Sequence, residues 1–354
     1  MANTAKGTVY YKEEAYQKIN EYLRENNHSK VFILVDSNTH ELCLPAFLPK
    51  IETETAIEII EIEAGEPFKN LDTCMGVWQA MSDLEGDRKS LMINLGGGVV
   101  TDLGGFVAST FKRGINYINV PTTLLSMVDA SVGGKTGVDL GNLKNQIGVI
   151  SNAEMVIVDS DYLATLPSEE MRSGLAEILK HGLIADEAYW HKVGQLSELT
   201  LSDLDDIIRV SVDIKAEVVA EDPFENGLRK TLNYGHTLGH AVESYCLTHT
   251  EKKTLLHGEA VALGIILATY LSKELKDFPT EKLDDITKRI VELYGKVDFT
   301  REDIDAIIDL MKYDKKNEAG KINFVLLKDI GETEIDCQVP NDLIFDAFEF
   351  YKNA

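Results

Sequence analysis

The chain has 354 residues, 59 acidic against 35 basic, and a formal charge of −24. That length suggests two domains rather than one core, and 44% hydrophobic residues is ordinary for a globular fold. The acidity argues against nucleic acid or an anionic membrane as partner, since both select basic surfaces; it makes any local gathering of Lys and Arg a sign of an anionic ligand.

Met1-Ala-Asn-Thr-Ala-Lys-Gly7 carries no apolar signal core, and no run of about 18 apolar residues follows. Cys43, Cys74, Cys246 and Cys337 lack paired spacing, which fits a reducing compartment. A cytoplasmic protein is expected. Residues 30–36 form an apolar run ending in Asp36, the mark of a buried parallel strand. Further strands are predicted at 56–62, 90–95, 115–120 and 155–159, with a helix carrying Phe68, Leu71, Cys74, Met75, Trp78 and Met81 between the second and third. This is an α/β domain with a largely parallel sheet. Beyond about 160 the pattern turns helical, at 168–184, 201–221, 228–246, 257–275, 281–294 and 302–313, with a small hairpin near 322–337. The apolar run 260–271 reads as a buried helix. A cleft between two closely packed domains is the expected ligand site.

Gly96-Gly-Gly-Val-Val-Thr-Asp102 follows a strand and opens a helix, so its backbone N–H groups suit a pyrophosphate. Thr101 stands where a dinucleotide fingerprint has its third glycine. Asp36 suits a ribose hydroxyl. Asp129-Ala-Ser-Val-Gly-Gly-Lys-Thr136 imitates a Walker A loop but puts an acid where glycine is needed, so an ATPase is rejected. What survives is a glycine-rich loop offering Lys135, Lys144 and Asn145 to an anion.

Wound at about 100° per residue, residues 228–246 place Arg229, Asn233, His236 and His240 within roughly 60° of arc. Tyr234, Leu238, Ala241, Val242 and Tyr245 face the other way and form the expected buried side. His236 and His240 are candidate metal ligands, as are Glu177, on an otherwise apolar helix face, and His257. One carboxylate and two imidazoles would leave a catalytic Zn²⁺ open to substrate; satisfied core histidines are the rival reading.

Gly96 to Phe106, Pro121 to Leu125, Asp129 to Lys135, Lys144-Asn145, Gly174 to Lys180, Gly227 to His240 and His257-Gly-Glu-Ala together resemble the 3-dehydroquinate synthases, a branch of the sugar-phosphate cyclases, over nearly the whole chain. The resemblance implies a Rossmann-like NAD-binding α/β domain at 1–160 and a helical metal- and substrate-binding domain at 161–354. It implies conversion of 3-deoxy-D-arabino-heptulosonate 7-phosphate to 3-dehydroquinate, by transient oxidation with NAD⁺, phosphate loss, re-reduction and aldol closure. Metal ligands map onto Glu177, His236 and His257, for Zn²⁺ or Co²⁺. Substrate and catalytic positions map onto Lys135, Asn145, Lys180, Lys215, Arg229, Asn233, His240 and one of the lysines Lys315 and Lys316, with Glu225 as proton acceptor. Cofactor positions map onto Asp36, Asn38, Glu66, Lys69, Gly97, Gly98, Val99, Asp102, Thr122, Thr123, Leu125, Asp129, Lys135, Lys144, Tyr162, Leu163, Ala164 and Thr165. Arg113 maps onto a residue donated across a homodimer interface to the substrate phosphate. The rivals are a metal-dependent polyol dehydrogenase, which would release NADH, and a catalytically silent binding protein, which should have lost part of the Glu177, His236, His257, His240, Lys135 and Arg229 set.

Overall fold

The computed structural model describes residues 7–141, 143–194, 201–249, 251–311 and 322–354, and the chain separates into two compact units, Met1–Pro167 and Ser168–Ala354. The first unit holds strands β1 (Thr8–Tyr11), β2 (Val31–Asp36), β3 (Ile57–Ile62), β4 (Leu91–Gly96), β5 (Asn116–Pro121), β6 (Lys135–Leu140), β7 (Leu143–Ile150) and β8 (Met155–Val158). Helices α1 (Lys12–Glu25), α2 (Ser37–Leu42), α3 (Leu44–Phe47), α4 (Leu71–Asp83) and α5 (Gly98–Thr110) join them. Six strands make one sheet in the order β1-β8-β5-β4-β2-β3, all pairings parallel. β2 and β4 are buried along their whole length, so neither has a wet face to alternate with, and both read as unbroken apolar runs. β1 and α1 go beyond the sequence reading; β1 is only four half-buried residues, too short to show a period.

Two sequence expectations are corrected. Residues 129–145 are not a flexible glycine-rich loop: a π-turn over Ser126–Ala130 leads into the antiparallel hairpin β6–β7. Gly137 and Gly148 face each other across it, and a Cβ on either would lie 2.6 Å from the Ile147 carbonyl or 2.4 Å from that of Thr136. These glycines serve close strand approach rather than looseness. The turn Ser160–Thr165 stays with the first unit, where Tyr162 and Tyr16 share a hydroxyl–hydroxyl bond of 3.0 Å and Tyr16 donates to Asp159 at 2.8 Å.

The second unit contains α6 (Ser168–Ala185), α7 (Glu187–Val193), α8 (Leu201–Glu221), α9 (His236–Thr248), α10 (His257–Lys276), α11 (Thr280–Tyr294), α12 (Arg301–Met311), the hairpin β9 (Phe324–Asp329)–β10 (Glu332–Cys337) and α13 (Asn341–Asn353). The second correction falls here. Residues 228–246 are not one helix: Leu228–Asn233 is a 3₁₀ segment, Gly235 turns left-handed at φ 77°, and α9 starts afresh at His236. Arg229 and Asn233 therefore leave the helical stripe on which regular winding put them with His236 and His240. The expected apolar side is nonetheless buried, from Tyr234 to Tyr245. Among the described residues, no helix is long and apolar enough to cross a membrane.

Helix α10 is the core of this unit, with Ala260 to Ala268 and Leu271 almost wholly buried. Glycines close its contacts. A Cβ on Gly264 would meet the Gly235 carbonyl at 2.0 Å and the Gly239 nitrogen at 2.8 Å, so α9 and α10 touch backbone to backbone. A Cβ on Gly258 would meet the Ser173 carbonyl at 2.0 Å, and the Gly258 N–H donates to Ser173 Oγ at 3.0 Å, pinning α10 to α6. Gly264→Ala should lower the unfolding free energy by about 1–3 kcal/mol through overpacking against immobile backbone. Urea denaturation checks it, and an unchanged midpoint would show that the helices can part freely.

Candidate active site

Three helices of the second unit each deliver one side chain to a common point. Glu177 comes from α6, His236 from the first turn of α9 and His257 from the first turn of α10. Glu177 has no solvent exposure, and its Oε1 lies 3.2 Å from His236 Nε2 and 3.4 Å from His257 Nε2. The other nitrogen of each ring is engaged elsewhere. His236 Nδ1 is 3.1 Å from the Tyr234 carbonyl and His257 Nδ1 is 3.3 Å from Glu243 Oε2. Both acceptors call for a proton on Nδ1, so Nε2 of each ring is the nitrogen turned towards Glu177 and the one left to take a metal when it binds.

That arrangement tests whether a cation fits. Glu177 Oε1 is buried and satisfies no hydrogen bond, a loss of about 1–3 kcal/mol for an ordinary polar atom and more for a charged one. Tetrahedral coordination with bonds of about 2.0–2.1 Å places ligand atoms roughly 3.3–3.4 Å apart. The two Glu177–histidine separations have that length. A divalent cation fits the donor set.

Electrostatics supports the same point. Burial would raise the Glu177 carboxyl, but Lys180 and His236 overcome it and hold the acid well below its usual range. Lys180, itself buried one turn along α6, donates to Glu177 Oε2. Burial would lower His257, but the Glu177 and Glu243 carboxylates push it up to about 10. Without metal, a proton on His257 takes the cation's part. His240 completes a ring of imidazoles, its centroid 5.1 Å from that of His236 and 5.5 Å from that of His257.

Other predicted residues of this unit sit beside one another in smaller groups. Asn233 Nδ2 donates to Glu225 Oε1 at 2.7 Å, with Glu225 left-handed at φ 62°. Arg229 is 2% exposed, and its Nη1 donates to the Pro223 carbonyl at 2.8 Å. Lys215 is buried on α8. Lys315 and Lys316 lie outside the described residues.

In the first unit, β2 leads outward to β3 while β4 leads the other way to β5 and β8, which makes the β2/β4 boundary the sheet's switch point. Asp36 and Gly96 end those two strands. Asp36 Oδ1 caps α2 by accepting from the Thr39 N–H at 2.8 Å, and Asn38 follows it, exposed. Gly97 precedes α5, and a Cβ there would press on Thr123 Cγ2 at 2.9 Å, while the Thr122 N–H donates to the Gly96 carbonyl at 3.0 Å. Gly98 and Val99 form the first turn of α5. Thr101 Oγ1 bonds back to the Gly97 carbonyl at 3.2 Å. The close helix–sheet contact that a third fingerprint glycine would provide falls instead to Gly104, whose Cβ would sit 2.0 Å from Asn94 Oδ1.

Lys69, 5% exposed, donates to Asp102 Oδ2 and Asn145 Oδ1, both at 2.7 Å, and Lys144 Nζ lies 3.4 Å from Glu66 Oε1. Lys135 opens β6, exposed. Leu125 precedes the π-turn and Asp129 lies within it. Tyr162 and Leu163 are buried, Ala164 and Thr165 exposed. Arg113 lies beyond the end of α5. α5 stops at Thr110, and Lys112, Arg113 and Gly114 follow at φ 51°, 72° and 106°. Two successive left-handed residues with side chains cost about 1–2 kcal/mol each.

Residues 59–173 match the 3-dehydroquinate synthase N-terminal family and residues 174–317 the 3-dehydroquinate synthase C-terminal family. This chain belongs to the 3-dehydroquinate synthase family. It is 42% identical to the 3-dehydroquinate synthase of Parabacteroides distasonis over 95% of both chains. It is 37% identical to that of Campylobacter jejuni subsp. doylei over 97% of this chain and 99% of the other. A 2-epi-5-epi-valiolone synthase from Streptomyces hygroscopicus, solved with NAD⁺ and Zn²⁺, superposes with a TM-score of 0.84 at 25% identity, covering 99% of this chain and 98% of that one.

In this synthase-family chain, sequence reasoning missed Glu243 and the Tyr234 carbonyl. The signal for Glu243 was present: it stands seven residues after His236 and three after His240, on their helix face. The Tyr234 carbonyl left none, because its direction depends on the break at Gly235.

His236→Ala should lose tightly bound Zn²⁺ while staying folded, and His240→Ala should keep it; a full equivalent of metal in the first variant by elemental analysis overturns the ligand set. The pH dependence follows from His257. Its folded value is raised above the ordinary 6.5, so its contribution to apo-protein stability is complete below pH 6.5 and is lost as pH rises through about 10. Metal must displace that proton. Zn²⁺ binding near pH 7.5 should therefore release about one proton from His257 and weaken as pH falls; calorimetry in buffers of different ionisation enthalpy measures it.

Proposed function

We infer that this chain is a 3-dehydroquinate synthase, converting 3-deoxy-D-arabino-heptulosonate 7-phosphate to 3-dehydroquinate and phosphate in the shikimate pathway, as an NAD- and metal-dependent lyase. The observation that carries the reading is the Glu177, His236 and His257 donor set, in a chain 42% identical to a curated synthase along almost its full length. Bound NAD supplies transient oxidation of the C5 alcohol, which alone makes the neighbouring C–H acidic enough for phosphate to leave, and Zn²⁺ (or Co²⁺) would supply charge stabilisation at the reacting oxygen.

The chain's own residues do the rest. Glu177, His236 and His257 hold the cation, and Lys180 keeps Glu177 ionised. His240, one turn beyond His236, moves protons beside it. Arg229 is suited to grip a carboxylate through two N–H groups, its stem buried and braced on Pro223. Glu225, the proton acceptor by family position, is held by Asn233. Lys135, Asn145 and Lys215 are the remaining family substrate positions, and the turn at Gly97, Gly98 and Val99 takes the NAD pyrophosphate on the N-terminus of α5. Arg229 and Asn233 match the dehydroquinate pattern rather than that of the valiolone- or inosose-forming relatives. The partners are a small anionic substrate and a second copy of this chain, with no nucleic acid or membrane. Four buried thiols, none in a disulfide, suit the cytoplasm.

Because the ring chemistry is redox-neutral overall, substoichiometric NAD should support many turnovers, measured as inorganic phosphate released from the heptulosonate phosphate with added Zn²⁺. NADH accumulating in proportion to product would favour the polyol dehydrogenase reading. The strained backbone at Lys112 and Arg113 supports the dimer role of Arg113, since such strain is kept where function needs it. Mixing inactive Arg113→Ala subunits with inactive Lys135→Ala subunits should restore activity at one of the two sites in each mixed dimer. If subunits exchange and no activity returns, Arg113 does not act across the interface.

A further inference from the structure

The two imidazoles that face Glu177 are oriented by different means. His236 leans on a backbone carbonyl, which no side-chain substitution removes. His257 leans on the side chain of Glu243, 5% exposed on α9. A carboxylate in that position is expensive to bury unless it is paired, and its bond to His257 Nδ1 at 3.3 Å supplies a partner on the next helix. The seam that brings them together is the glycine contact of Gly235 and Gly239 with α10. Helix α9 thus carries both a ligand, His236, and, two turns later on the same face, the group that aims the ligand of α10.

We propose that Glu243 is a positioning residue of the metal centre, whose carboxylate holds His257 in the Nδ1–H tautomer and turns its Nε2 towards the cation. The proposal rests on the reading of Glu177, His236 and His257 as the ligand set. Without Glu243 the His257 ring can rotate about its Cβ–Cγ bond or move its proton to Nε2, and either change withdraws the lone pair from the cation. A carboxylate acceptor also makes the imidazole a stronger donor than a neutral acceptor does. Glu243 touches neither substrate nor cofactor in this role, so its effect should appear in metal affinity before it appears in chemistry.

The test measures Zn²⁺ affinity of the full-length apo-protein by competition with a chromophoric chelator, with Co²⁺ absorption as a second readout. Glu243→Ala should weaken Zn²⁺ binding by about 10–100-fold and shift the visible Co²⁺ bands. Glu243→Gln keeps an acceptor oxygen without the charge and should fall between wild type and Glu243→Ala; being isosteric, it also answers the question if the alanine variant fails to fold. His257→Ala separates the two readings. If it abolishes tight binding while both Glu243 variants bind within twofold of wild type with unaltered Co²⁺ spectra, Glu243 is a structural acid only and the proposal is overturned. If His257→Ala itself binds Zn²⁺ as wild type does, the ligand set fails and the proposal falls with it.

Discussion

A buried carboxylate oxygen facing two imidazole nitrogens governs how the second unit is put together. Glu177 has no exposed surface, and an anion there is tolerable only if opposite charge reaches it. Lys180 meets one oxygen from within the same helix. The other is met only if α9 and α10 bring their first turns against α6. That requirement explains why α10 begins on the Ser173 contact and why glycines line its contact with α9: a single methyl group at Gly258 or Gly264 would clash with a carbonyl at 2.0 Å. Close packing here serves the placement of three donor atoms as much as it serves the core.

The first unit uses close backbone approach at the start of α5, the position proposed for the cofactor. An anionic cofactor needs bare N–H groups at a helix start and close backbone approach behind it. β4 ends in glycines, α5 begins there, and Thr122 and Thr123 close the turn. The helix lies against the sheet through Gly104, where a Cβ would meet Asn94, while Thr101, at the fingerprint glycine's position, spends its hydroxyl on the first turn. Lys69, between Asp102 and Asn145, ties the β6–β7 hairpin to α5. The hairpin's Lys135, Lys144 and Asn145 thus sit on ordered strands with glycines facing each other in register.

Much of this was legible in the chain because it depends on local pattern. Parallel strands buried on both faces must read as continuous apolar runs, and β2 and β4 did. The apolar helix α10, the break between an α/β half and a helical half, and the isolation of Glu177 on an apolar face are all consequences of burial, which composition records directly. Glu177, His236 and His257 were identified as candidates by chemistry and by family motif, since residue type determines what can ligate a metal.

What the sequence could not decide was anything set by a backbone break or a contact between distant segments. Regular winding placed Arg229 and Asn233 on one stripe with the histidines; a single left-handed glycine at 235 ended that register, and a glycine's conformation depends on what packs against it, here Ile265 of α10. The hairpin at 135–150 looked like a loop because facing glycines and looseness share a composition. Glu243 became visible as a partner of His257 only when α9 and α10 met. Residue types, apolar periods and motif spacings determined the fold class, the family and the donor atoms. Tertiary packing alone decided which nitrogen each histidine presents, because tautomer and ring direction follow from the acceptor behind the ring, and that acceptor comes from the backbone turn at Tyr234 or from another helix.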